Sequence, residues 1–265
     1  MHIQFYKYQG TGNDFVIIDN REDQIPKLTT KQISRLCNRR FGAGADGLML
    51  LGKKDGYDFE MIYYNADGNE SSMCGNGGRC LVKFAYHMGI HRNRYHFLAA
   101  DGKHEAEIEL NGGVKLKMGN VDAVDHHTHY AVLNTGSPHY VKFTSDVNAI
   151  DVEEQGSAIR YSKNFVDEGI NVNFVETLDQ DSIFVRTYER GVEAETYSCG
   201  TGVTAAALVS AHNDNGFNRV EVKTRGGHLS VEFNKIDDQH FDNIWLCGPA
   251  ELVFVAQIEI ADNNV

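Results

Sequence analysis

One motif occurs twice in this chain. Met73-Cys74-Gly75-Asn76-Gly77 and Ser198-Cys199-Gly200-Thr201-Gly202 set Cys-Gly-X-Gly at positions 125 apart in a sequence of 265 residues. Other landmarks keep the same order at offsets of 124 or 125: Gly12 with Gly136, Phe41 with Phe165, Gly44 with Gly169. Asn65 and Arg190 each stand nine residues before their cysteine, and Glu70 and Glu195 each stand four before. Chance pairing of common Gly and Asn explains one such match but not a series at one offset. A period this long excludes a solenoid and predicts two similarly folded halves, each of ordinary domain size. The expected halves are 1–121, carrying Cys74, and 122–265, carrying Cys199, with a terminal strand free to cross over.

Each motif follows a strand-like run and opens a helix-like one. Phe59 to Asn65 alternates as a strand, and Leu81, Phe84, Ala85 and Met88 then share a helical face that stops at Gly89. Ile183 to Tyr188 is the matching strand, and Val203 to Ala211 is apolar nearly all round. That pattern predicts a helix wrapped by sheet and not one lying on a surface. Ile33, Leu36 and Cys37 predict an earlier helix capped by Thr29 or Thr30. The run Glu251 to Ile260 reads as a late strand. The fold class expected is α+β, with two pseudo-symmetric domains of strands around a central helix.

A thiol at a helix N-terminus has its thiolate favoured by unpaired N–H groups and the helix dipole. The glycines at 75, 77, 200 and 202 let the backbone approach a ligand, and the same N–H groups can seat a carboxylate. For one copy, a tight turn with a bystander cysteine is the better reading. Two equivalent copies favour chemistry. Cys37, Cys80 and Cys247 read as buried small hydrophobes.

Five cysteines without scaffold density, and an N-terminus that reads as a strand, predict a reducing, cytoplasmic setting. A net charge of −12, from 25 basic and 37 acidic residues, argues against nucleic acid as partner. No run of 18 apolar residues predicts a membrane span. No metal and no cofactor are expected. Cys74 and Cys80 lack zinc-knuckle spacing, His126-His127-Thr128-His129 reads as a solvated loop, and Gly42 to Gly47 lacks the dinucleotide fingerprint. Asn13, Asn65, Asn76 and Asn171 lie at strand or loop edges, and Glu189-Arg190 ends the strand before Cys199. Asn and Arg can hold carboxylates and Glu an ammonium.

With these residues the chain resembles the diaminopimelate epimerases, which epimerise an amino acid without a cofactor. The resemblance is carried by Gly10-Thr11-Gly12-Asn13-Asp14-Phe15, Gly44-Ala45-Asp46-Gly47, Asn65-Ala66-Asp67-Gly68, Met73-Cys74-Gly75-Asn76-Gly77, Glu189-Arg190-Gly191 and Ser198-Cys199-Gly200-Thr201-Gly202, and spans the chain. It implies an active site in an interdomain cleft, with Cys74 and Cys199 as acid and base. It implies substrate contacts from Asn13, Asn65, Asn171, Glu189 and Arg190, and from backbone groups of Gly75, Asn76, Gly200 and Thr201. Many members carry Asn before Pro-His where this chain has Ser137-Pro138-His139, so Ser137 and His139 stand as auxiliary residues. The expected partner is the small molecule diaminopimelate, and a homodimer is left open. Three rivals remain from the residues: a proline or hydroxyproline racemase, a dithiol redox protein, and an amino-acid binding protein without chemistry.

Overall fold

The computed structural model describes residues 2–211 and 215–260. It divides into two units. The first holds the residues up to Leu116 together with those from Pro249 onward, and the second is Lys117–Gly248. The strand at the end of the described residues belongs to the first unit.

In chain order the first unit contains β1 (His2–Gly10), β2 (Asn13–Asp19), α1 (Thr30–Cys37), β3 (Gly47–Gly52), β4 (Phe59–Asn65), α2 (Gly75–His87), β5 (Arg94–Ala99), β6 (Gly102–Ile108) and β7 (Val114–Lys117). The second contains β8 (Val124–His126), β9 (Ala131–Asn134), β10 (Pro138–Phe143), α3 (Val152–Arg160), β11 (Asn171–Asp179), β12 (Ser182–Glu189), β13 (Ala194–Thr196), α4 (Gly200–Ser210), β14 (Gly216–Thr224), β15 (Gly227–Lys235) and β16 (Phe241–Gly248). The last strand is β17 (Glu251–Glu259).

The two units repeat one ladder. In the first, β1 and β2 pair antiparallel, β2 and β3 parallel, β3 and β4 antiparallel, β4 and β5 parallel, and β5 with β6 and β6 with β7 antiparallel. In the second, the corresponding pairs β9–β10, β10–β11, β11–β12, β12–β14, β14–β15 and β15–β16 follow the same alternation of direction. The outermost strand has a different origin in each unit. Beside β9 it is β8, whereas beside β1 it is β17, paired antiparallel from His2 with Glu259 to Gln9 with Glu251. Leaving the outer edge of β1 unpaired would expose a row of backbone donors and acceptors, which β17 covers.

A buried helix runs inside each ladder. Helix α2 packs against β1, β2, β3, β4, β6 and β17, and α4 against β9, β10, β11, β12, β14, β15 and β16. Val203 through Leu208 are all buried, as an apolar-all-round helix requires. Every residue of β3 is buried too, because its second face packs under α1. There Val16, Ile18, Leu48 and Leu50 meet Ile33, Leu36 and Cys37, and each such buried apolar side chain contributes about 1.5–3 kcal/mol. Thr29 starts α1 with a full capping box to Gln32. The mirror element α3, capped by Asp151, is not expected from the sequence. No helix among the described residues is long and apolar enough to cross a membrane.

Candidate functional site

The four helices begin differently. The outer pair, α1 and α3, have oxygen caps in Thr29 and Asp151. The central pair begin with Cys74 and Cys199, and neither side chain caps its helix. Cysteine is a poor N-cap, and giving up a cap costs roughly 1 kcal/mol. A local rule broken twice, at equivalent positions, marks a functional choice. The amides of residues 75–77 and 200–202 lie ahead of the first helical bonds, Gly78 N to Cys74 O at 2.6 Å and Val203 N to Cys199 O at 2.8 Å. These are the donors that a carboxylate or developing negative charge can use.

A tight hairpin brings Asn13 to Cys74. Gly10 pairs with Asn13 across the two-residue loop Thr11-Gly12, at φ +50° and +83°. A β-branched residue in the left-handed region is strained. Thr11 is held there by the buried Arg79, whose Nη2 donates to Thr11 Oγ1 at 3.3 Å and to Asn76 Oδ1 at 3.0 Å. Arg79 Nη1 also donates to Gly75 O at 3.2 Å. Asn13 Oδ1 then lies 3.6 Å from Cys74 Sγ and 3.5 Å from Asn76 Nδ2. Asn65 ends β4 with its side chain exposed.

The hairpin root is clamped by charge. Lys7 and Arg39 each reach Asp14 at 2.6 Å, and Arg39 also reaches Asp46 at 2.7 Å. Burial by itself would raise the Asp14 carboxyl, but Arg39 and Lys7 override it and hold the group at about 2.

Cys199 is surrounded by different chemistry. Its Sγ lies 3.5 Å from Thr201 Oγ1. Thr135 Oγ1 donates to Thr201 O at 2.8 Å, and Thr204 Oγ1 to Gly200 O at 3.0 Å. Beneath the first turn sits Asn173, wholly buried, whose Nδ2 donates to His139 Nδ1 and Tyr140 O at 3.1 Å each. Its Oδ1 accepts from Thr187 Oγ1 at 3.0 Å. His139 is neutral: burial first, and the Arg190 charge second, pull its imidazole down to about 3. With Nδ1 accepting, its buried Nε2 carries the hydrogen and has no hydrogen-bond partner among the described residues.

Asn171, 3% exposed, is spent inside the protein. Its Nδ2 donates to Ser137 Oγ at 2.9 Å and Pro138 O at 3.0 Å, and its Oδ1 accepts from Arg190 N at 2.9 Å. Arg190 Nη2 also reaches Ser137 Oγ at 3.4 Å. Ser137, Asn171 and Arg190 thus form one cluster at the ends of β10, β11 and β12, where Glu189 also lies. Sequence reasoning misses Asn173, although Asn171 and Asn173, two apart on one strand, share a face. It also gives no role to Asp46, Arg79, Thr135 or the hydroxyl of Thr201.

The remaining thiols are core groups. All five cysteines are thiols. Burial pushes Cys37 up to about 11 and Cys80 up to about 12, and Cys247 is buried in β16. His126 and His127 are exposed and engaged locally with Asp238 O and Asp125. No cluster of three or more His, Cys, Asp or Glu able to hold a metal occurs among the described residues.

The family model for diaminopimelate epimerase matches residues 5–124 and 131–253. A diaminopimelate epimerase of Flavobacterium psychrophilum is 50% identical over 97% of this chain and 100% of its own length. One from Chlorobaculum tepidum is 41% identical over 95% of this chain and 99% of its own. Among solved structures, a phenazine biosynthesis protein of the PhzF family from Bacillus anthracis aligns with a TM-score of 0.75 at 15% identity, over 98% of this chain and 100% of that one. A hydroxyproline epimerase from Agrobacterium vitis aligns at 0.69 and 14% identity, over 99% and 94%. These structural likenesses speak for the fold alone. Two matches to the family model and near-full-length relatives at this identity lead to one statement: the chain belongs to the diaminopimelate epimerase family.

Proposed function

We propose that this protein is an isomerase that converts LL-2,6-diaminopimelate to its meso form, in the route to lysine and peptidoglycan precursors. The observation that carries the reading is the pair Cys74 and Cys199, each heading a buried helix at equivalent places in a chain of this family. Inverting a carbon centre by proton transfer requires removal from one face and delivery to the other. One cysteine as thiolate takes the α-proton, and the other as thiol gives its proton to the opposite face. Negative charge that develops on the α-carboxylate is stabilised by helix N–H groups of Gly75, Asn76, Gly200 and Thr201. The proposed substrate contacts further include Asn13, Asn65, Glu189 and Arg190, with Asn171 acting through Ser137 and Arg190. His139 supports the floor of the second site as a neutral group.

The reaction proposed uses no metal and no cofactor, so chelator-treated, dialysed protein kept reduced should retain its rate. Location in a reducing cytoplasm belongs to the same reading. A homodimer does too. Leu252, Val253, Phe254 and Val255 on β17 are exposed apolar residues suited to a second copy, and sedimentation equilibrium tests it.

The deciding experiment compares kcat/KM for LL-diaminopimelate, lysine, glutamate and proline. Distal ammonium and carboxylate contacts should make diaminopimelate the best substrate by orders of magnitude, because remote contacts contribute to transition-state binding. Proline as the best substrate would establish a racemase instead. Equal turnover of all four would show that the distal contacts do not exist.

A further inference from the structure

Asp46 lies on the loop entering β3, away from the cysteines in sequence, yet it reaches the residue facing Cys74. Asp46 Oδ2 accepts from Asn13 Nδ2 at 2.6 Å and from the Asp14 N–H at 3.1 Å, while its other oxygen pairs with Arg39. The Asn13 amide is thereby fixed in one of its two orientations. Its nitrogen is committed to Asp46, so its carbonyl oxygen is the atom presented to Cys74 Sγ at 3.6 Å. Asn76 agrees with that orientation. Its own oxygen is taken by Arg79 and Thr11, which turns its Nδ2 toward Asn13 Oδ1 at 3.5 Å. A carbonyl oxygen can accept from a thiol but offers nothing to a thiolate.

We propose that Asp46 is a positioning residue for the reaction: it aims the Asn13 carbonyl at Cys74 and so favours the protonated, acid-competent form of that thiol. The inference rests on the assignment of Cys74 as an acid–base group, and it adds a residue outside the set that would touch substrate.

The second unit supports this reading by building the same contact with reversed polarity. Counting from the paired glycines Gly44 and Gly169, Asn171 stands where Asp46 does, and Ser137-Pro138 stand where Asn13-Asp14 do. Proline has no N–H to give. A carboxylate there would have lost the backbone donor that Asp46 has in Asp14. An amide fits instead: Asn171 Nδ2 donates to Ser137 Oγ at 2.9 Å and to Pro138 O at 3.0 Å. Each unit therefore ties its hairpin residue to the next strand through the residue two places after the left-handed glycine, and the Asp-to-Asn exchange follows the Asp-to-Pro exchange. In the first unit the outcome is an acceptor facing the cysteine. Beside Cys199 stands the Thr201 hydroxyl, at 3.5 Å, which can also donate.

The test follows alkylation of Cys74 and Cys199 separately, by peptide mapping of the full chain treated with iodoacetamide across a pH series. In Asp46→Ala the thiol form of Cys74 loses its oriented acceptor. Its alkylation near pH 7 should rise about tenfold, equivalent to moving its titration by one unit. Cys199 should keep its profile. Asp46→Asn retains an oxygen for the Asn13 amide and should stay close to the parent. Asn13→Ala should reproduce the rise, and adding Asp46→Ala to it should give no further change, because Asp46 acts only through Asn13. If Asp46→Ala loses its circular dichroism, Asp46→Ser carries the same expectation. It keeps an oxygen near the Asp14 N–H but does not reach Asn13. An unmoved Cys74 profile in a folded variant, an equal effect of Asp46→Ala with and without Asn13, or a parallel change at Cys199 would each overturn the proposal. Alkylation involves no substrate, so a protein that fails to turn over diaminopimelate still reports on the role of Asp46.

Discussion

Replacing Gly202 by Ala sets two effects against each other. Helix propensity alone favours the change by up to about 1 kcal/mol. Packing opposes it, because a Cβ at 202 would overlap Asn173 Oδ1 and touch Cys199 Cβ at 3.4 Å. Asn173 has nowhere to go: its amide is wholly buried and bonded to His139, Tyr140 and Thr187. Either that amide is displaced, leaving buried groups unsatisfied at about 1–3 kcal/mol, or α4 shifts with strain of about 1–3 kcal/mol. Where both occur in part, the net expectation is a loss near 3 kcal/mol in the second unit, with Cys199 carried out of place. The single tryptophan, Trp245, is buried in β16 of that unit and reports on it. With a urea slope of about 2 kcal/mol per molar, the fluorescence midpoint should fall by roughly 1.5 M. The equivalent Gly77→Ala meets the flexible end of Met49 and should cost below about 1.5 kcal/mol. A Gly202→Ala midpoint equal to or above the parent's would refute the packing argument.

Further outcomes follow from the same geometry. Asp14 is held at about 2, below the ordinary 3.8, so its contribution is present above 3.8 and is lost as pH falls toward 2. At roughly 1.4 kcal/mol per unit this is worth about 2 kcal/mol, and Asp14→Asn should flatten that acid limb in urea titrations. His139, pulled down to about 3 from 6.5, gives stability that is full above 6.5 and declines as pH falls toward 3; His139→Gln, which can keep an acceptor for Asn173, should remove that slope. Cys80→Ala should cost about 1 kcal/mol of packing and leave turnover near the parent's, in contrast to Cys74→Ala. Thr29→Ala breaks the capping box of α1 and should lower stability of the first unit by about 1 kcal/mol without changing KM.

Much of this architecture can be read from residue order. The repeat offset anticipates two ladders of one design, and the paired glycines Gly12 with Gly136 and Gly44 with Gly169 all have positive φ, as shared turns demand. The apolar run at Val203 and the stop at Gly89 correspond to a wrapped α4 and a left-handed residue just after α2. Helix α3 escapes such reading because it carries few apolar residues and a mid-helix glycine. That glycine is required by the close approach of Tyr188, whose Cβ a side chain at 156 would overlap. The return of β17 is an edge-pairing matter between ends of the chain, which local pattern does not encode. At the site, the two cysteines and their helix-cap positions are legible. The supporting network is not. Nothing in the residue order ties Asp46 to Asn13 or Asn173 to His139 and Thr187, because side-chain commitments across strands depend on register.

Whether Cys74 and Cys199 act as a two-base pair on diaminopimelate is tested most directly by isotope exchange. LL-diaminopimelate is incubated in heavy water with the parent protein and with Cys74→Ala and Cys199→Ala, and the α-hydrogen and stereochemistry are followed by NMR and chiral chromatography. The parent should form the meso isomer with deuterium at the inverted carbon, and each single variant should lose epimerisation by several orders of magnitude while its circular dichroism is retained. Near-normal epimerisation by either folded variant, or inversion without solvent deuterium, would contradict the two-base assignment.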